Sequence, residues 1–132
     1  MTTAHWAAAY IGTPWIARRH DCWAFARRVW AERFGLDVPA VDVDALDARA
    51  VLRAFRDHPE RGHWVEVDQP REGDGVLLSH SRHPSHVGVW IDIDGGGVLH
   101  CDRHSGVVFA TRSALERCGW GSLRYYRHEA NT

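Results

Sequence analysis

The chain has 132 residues, of which 45% are apolar and 25% charged, and 16 basic side chains against 17 acidic ones leave a formal charge of −1 with histidine neutral. That length fits one domain over residues 1–132 with a core closed without disulfide staples, and the absence of any long basic block excludes a phosphate-tracking surface, so no nucleic acid is expected as partner. No segment reaches the ~18 uninterrupted apolar residues of a membrane span, and "MTTAHWAAAYIG" has no basic n-region, so the chain reads as made in the cytoplasm without a signal peptide.

In chain order, the first predicted element is a helix within "RRHDCWAFARRVW". Phe25, Ala26, Val29, Trp30 and Phe34 follow a 3.6-residue period, Asp21 stands at the N-cap and Gly35 at the C-terminal cap. "VDVDALDARAVLRAFRDHPERG" predicts a second helix with Asp44 as N-cap, Asp47 near the third position, a stripe of Ala48, Val51, Leu52 and Phe55, and Pro59 as its stop. "DQPREGDG" (68–75) reads as a surface loop leading into a strand. Beyond Gly62 the pattern becomes short extended runs, "HWVEV", "GVLLS", "HVGVWIDI", "GVLHC", "GVVFA" and "SLRYYR", with "TRSALERCG" (111–119) as a short helix or turn closed by Gly119. Helices followed by strands predict an α+β fold, with N-terminal helices packed on a meandering antiparallel sheet. Seven tryptophans predict an aromatic-rich core.

Three cysteines at 22, 101 and 118 form neither a disulfide framework nor a metal-clasping CxxC pair. Cys22 is the one placed for chemistry, because N–H groups at a helix start favour a thiolate. A thiol nucleophile needs a base and a group that orients the base. His86 opens the most strongly alternating run, in which Val87, Val89, Ile91 and Ile93 face one side and His86, Gly88, Trp90 and Asp92 the other. A mid-strand glycine implies a close approach, here expected from the helix carrying Cys22. Pairing through the "DGGG" turn would bring His100 beside His86. His100 is thus the first choice for the orienting group, ahead of Asp92 and Asp102. Asp21 is expected to aim at backbone N–H groups rather than at the sulfur. Cys101 and Cys118 read as inert, and His20 as pointing to solvent or substrate. His80, His83 and His86 in "HSRHPSH" suggest zinc only weakly, since Pro84 breaks any helical register, and no metal or other cofactor is assigned.

Taken together, "HDCWAFARRVW", "REGDGVLLS", "SHVGVWI" and "GVLHCDRHSGVV" resemble the successive signatures of the NlpC/P60 cysteine peptidases, over roughly residues 10–110. The Asp-Cys-Trp form is most similar to the bacteriophage tail-assembly and gene-transfer-agent branch. The resemblance implies a papain-like α+β fold and hydrolysis of peptide bonds in bacterial cell-wall peptidoglycan, typically next to D-glutamate and a diamino acid. It places the nucleophile on Cys22, the general base on His86 and the orienting residue on His100. The family commonly carries Ser-Gly after the cysteine, where this chain has Trp23-Ala24. It also commonly carries an upstream tyrosine at the oxyanion, where "GTPW" offers Trp15, so more of that role falls to the Cys22 backbone N–H. Trp15 and Trp23, with Asp21, are the expected substrate-side residues. Phage tail proteins are the implied partners and the virion the implied location. Two other readings keep the same fold: a non-catalytic tail assembly or binding module, and an amidase or acyltransferase using the same triad.

Overall fold

A computed structural model of the chain describes residues 5–41, 48–80 and 85–131. Helix α1 runs Cys22–Phe34. Its start is fixed by Asp21, in extended conformation, whose carboxylate accepts from the Ala24 N–H at 2.9 Å. Its end is fixed by Gly35 at φ 64°, a left-handed position that favours glycine, after which the Leu36 N–H returns to the Trp30 carbonyl at 3.0 Å. Phe25, Ala26, Val29 and Trp30 are buried, as their spacing predicts. Each large side chain so buried contributes about 1.5–3 kcal/mol. Helix α2 spans Ala48–Asp57, while its expected cap Asp44, with Asp47, lies outside the described residues. Short 3-10 turns at Trp6–Tyr10 and Pro59–His63 complete the first half. The first of these was not legible as an element, because five residues carry too little periodicity.

Six strands follow: β1 (Trp64–Val67), β2 (Gly75–Ser79), β3 (His86–Ile91), β4 (Gly97–Asp102), β5 (Gly106–Thr111) and β6 (Ser122–His128). Every pair is antiparallel, and the order is β1-β6-β2-β3-β4-β5. Strands β2 to β5 form the expected meander. The simple meander fails at β6, which returns across α3 (Arg112–Arg117) and inserts between β1 and β2, registering Val76 against Tyr125 and Trp64 against His128. A bidentate ion pair pins this return: Arg127 on β6 reaches the fully buried Asp74 carboxylate at 2.7 and 3.0 Å.

The sheet is a middle layer. Val87, Val89, Ile91, Leu99 and Cys101 pack with α1 in one core. Val76, Leu78, Trp90 and Val98 pack with Leu115 of α3 in the other. This arrangement corrects the expected role of Gly88. A Cβ there would meet Val98 Cγ1, the Leu99 carbonyl and, at 3.0 Å, His100 Cβ. The close approach is therefore made by β4, on the face turned away from α1, and not by the helix carrying Cys22.

Candidate active site

The β3–β4 ladder pairs Ile91 with Gly97, Trp90 with Val98 and Val89 with Leu99, and stops there. Beyond it the ladder opens, although the His86 and His100 rings stay in contact there. The start of α1 sits at this opening. Loop backbone fixes it: Gly12 N–H and Val107 N–H exchange bonds with β5 and Thr13 at 3.0 and 2.9 Å, and Ile16 bridges to His20 in a tight turn. Cys22 is buried, and the backbone N–H of Val87, the residue after His86, favours its thiolate, with the N–H groups of Trp23 and Cys22 itself adding to that effect.

On the other face of the same opening, His86 Nε2 lies 2.8 Å from His100 Nδ1, both rings being buried, with their planes 84° apart. The expectation that the "DGGG" turn would bring the two histidines together is met, because that turn sets the β3–β4 register. The His86 ring also stacks on Trp120 at 5.2 Å. Among the described residues no hydrogen bond joins the Cys22 sulfur to His86. The thiol and the imidazole instead belong to neighbouring points of one strand end, the thiol at the Val87 N–H and the ring on the Trp120 side.

Burial dominates the electrostatics. It pushes the Cys22 thiol up to about 11, with Asp21 adding to the rise and the Val87 N–H opposing it. It likewise pushes His86 down to about 3 and His100 down to about 4. The Asp102 carboxylate opposes the fall in both rings. All three groups are neutral near pH 7, so the thiolate expected from the helix terminus is not present at rest. Desolvation of the sulfur outweighs the helix N–H groups.

A cleft opens beside the thiol, lined by Asp21, Cys22, Trp23, Trp30, Trp64, Val87 and Tyr126. Glu60 and Arg61 also line it, the Arg61 guanidinium 4.4 Å from the centre of the Tyr126 ring. Trp23 thus faces the cleft, as expected, while its indole N–H donates to the Pro39 carbonyl at 3.1 Å. Trp15 does not line this cleft; it packs against the core from the loop before α1. Asp21 is at the cleft wall, with its carboxylate spent on the helix cap.

Three other residues take different places from those expected or were not singled out. His20, expected to point to solvent or substrate, is half-buried, with Nδ1 2.8 Å from the Pro14 carbonyl in an exposed contact. The buried Cys101 lies on the α1 side, its S–H donating to the His20 carbonyl at 3.4 Å. Trp120 carries no signal in the sequence, since its partner His86 is 34 positions away. His83 lies outside the described residues, and among those described no group of three metal-ligating side chains converges.

Comparison with known proteins gives the same family as the motifs. The chain is 29% identical over 91 residues to the murein DD-endopeptidase MepS/murein LD-carboxypeptidase of Escherichia coli strain K12, and to the same protein of strains O6:H1 and O157:H7. These matches cover 69% of this chain, which spans 40% of the length of the relatives. No helix among the described residues is long and apolar enough to cross a membrane. The NlpC/P60 family matches residues 8–121, nearly the whole chain, and the protein belongs to that family.

Proposed function

We propose that the chain is a cysteine peptidase that cleaves peptide bonds in the stem peptides of peptidoglycan, with Cys22 as nucleophile, His86 as general base and His100 as the residue that orients it. The observation that carries this reading is the buried 2.8 Å contact between His86 Nε2 and His100 Nδ1, with the N–H of Val87, next in the chain, acting on the Cys22 thiol. If Nε2 carries its hydrogen and donates to His100, Nδ1 is the basic nitrogen. With the Cys22 side chain turned to the imidazole, which it does not hydrogen-bond at rest, its proton passes to His86 Nδ1 as sulfur bonds to the substrate carbonyl carbon. The carbonyl oxygen becomes an oxyanion near the N–H groups at the start of α1. Collapse breaks the C–N bond, and the amine leaves with the proton from His86. Water then gives a proton to His86 and its oxygen to the thioester, releasing the acid and restoring the thiol. The name of the E. coli relatives supports murein as substrate.

The test is digestion of purified peptidoglycan by the wild type and by Cys22→Ala, with mass spectrometry of the products. New peptide ends from the wild type alone support the reading. An amide or transfer product appearing only with wild type assigns the same triad to amidase or acyltransferase chemistry. A second reading, a binding or assembly module that retains the fold, is favoured by the neutral, buried state of Cys22. Equal absence of products from both proteins supports it. The Asp-Cys-Trp sequence adds a phage-tail association to either reading, and detection of the chain in purified tail particles tests that point.

A further inference from the structure

The segment between α3 and β6 places one aromatic ring against the proposed base. Trp120 is pinned at its backbone, its N–H donating to the Leu115 carbonyl at 3.0 Å, and the next residue, Gly121, donates to the Ser79 carbonyl of β2 at 2.9 Å. The ring it presents is nearly parallel to two imidazoles. His86 lies 5.2 Å away at 16°, and His80 lies 3.7 Å away at 15°. His80 is exposed and held by its own contact, Nδ1 to the Gly119 carbonyl at 2.8 Å. The indole is therefore packed between fixed neighbours and tied to two elements. His86 has one ring nitrogen on His100 and a ring face on Trp120.

We propose that Trp120 is a positioning residue of this site. Its indole holds the plane of the His86 imidazole so that Nε2 stays on His100 and Nδ1 is left for the thiol proton, and it stabilises the imidazolium that forms during the reaction. The physical grounds are two. A stacked, backbone-anchored ring removes rotation about the His86 side chain that a single hydrogen bond leaves open. The face of an indole is also the best aromatic partner for a cation, and the effect grows where water is excluded. His86 needs such help, because its burial disfavours the charged ring, and the Asp102 carboxylate opposes that only in part.

This inference rests on the triad reading, and the test separates the two. Turnover of a peptidoglycan stem peptide is measured for His86→Ala, Trp120→Met and Trp120→Phe. Methionine keeps the bulk without a π-face, whereas phenylalanine keeps a π-face. Expected are loss of at least about 100-fold in kcat for His86→Ala and about tenfold for Trp120→Met, with KM within about twofold and the acid limb of kcat/KM moved to lower pH. Trp120→Phe should stay within about threefold of wild type. Wild-type kcat and pH profile in Trp120→Met, with His86→Ala inactive, overturns the role of Trp120 alone. Full activity in His86→Ala overturns the triad and the inference with it. If Trp120→Met does not fold, the His86 ring 15N titration of Trp120→Phe replaces it: a midpoint below that of wild type supports the proposal, and an unchanged midpoint overturns it.

Discussion

A thiol pushed up to about 11 beside an imidazole pushed down to about 3 holds its proton throughout the physiological range. In the proposed mechanism, attack by Cys22 is therefore coupled to proton transfer, rather than beginning from a standing ion pair. Without substrate, alkylation of Cys22 by iodoacetamide should be slow at pH 6 and rise by about tenfold per pH unit through pH 9, since only the thiolate reacts. Peptide mapping of the modified protein measures this, and rapid labelling at pH 6 would show that the sulfur is ionised at rest. His100 is accessible to the same kind of reasoning. In the tautomer proposed above its Nδ1 accepts from His86 Nε2, so His100→Asn, which keeps an acceptor oxygen, should retain more activity than His100→Leu. The leucine variant should lose about 10- to 100-fold in kcat, and turnover of a stem peptide distinguishes the two.

At the scale of elements, the centre of the sheet depends on two features of β2 and β3. Asp74, at the start of β2, is fully buried and accepts from Arg127 through two bonds and from the Arg71 N–H at 2.8 Å. Removing Arg127 strands the buried Asp74 carboxylate, so Arg127→Ala should cost about 3–5 kcal/mol, read by urea denaturation. Replacing both partners by apolar residues should cost less. In β3, Gly88→Val should destabilise the chain by at least about 1–3 kcal/mol, because the new side chain enters space held by Val98 and His100. It should also abolish turnover, since the His100 ring would be displaced from His86. A Gly88→Val protein with wild-type stability would show that β3 and β4 separate more readily than their packing implies.

For the whole molecule, the buried histidine pair couples stability to pH. Both rings have folded-state pKa values below the ordinary histidine value, so the unfolded chain binds protons that the folded chain does not. Their effect is absent above about pH 6.5 and grows as pH falls towards about 4 and 3, where it levels off. Calorimetry should show Tm falling by more than about 5 °C between pH 6.5 and pH 4. The double variant His86→Asn, His100→Asn should show a smaller fall. His63, exposed and paired with Glu129, has its pKa raised and works in the opposite direction.

The sequence by itself determined the parts that are local or periodic. Asp21 and Gly35 bound α1 because caps act within a few residues, and the alternation of "HVGVWIDI" assigned Val87, Val89 and Ile91 to one face because strand period is a property of the chain. The His86–His100 contact was also legible, since a short turn converts sequence separation into register. Only the tertiary structure decided which face of β3 meets α1, and with it the side of the strand on which the thiol and the imidazole lie. It alone inserted β6 beside β2, buried Asp74 against Arg127 and laid Trp120 on His86. Those outcomes depend on contacts between residues tens of positions apart, where the free energy belongs to packing and desolvation and leaves no spacing to read. For the same reason the ionisation of Cys22 follows from how deeply the fold buries it, and its place at a helix start does not settle it.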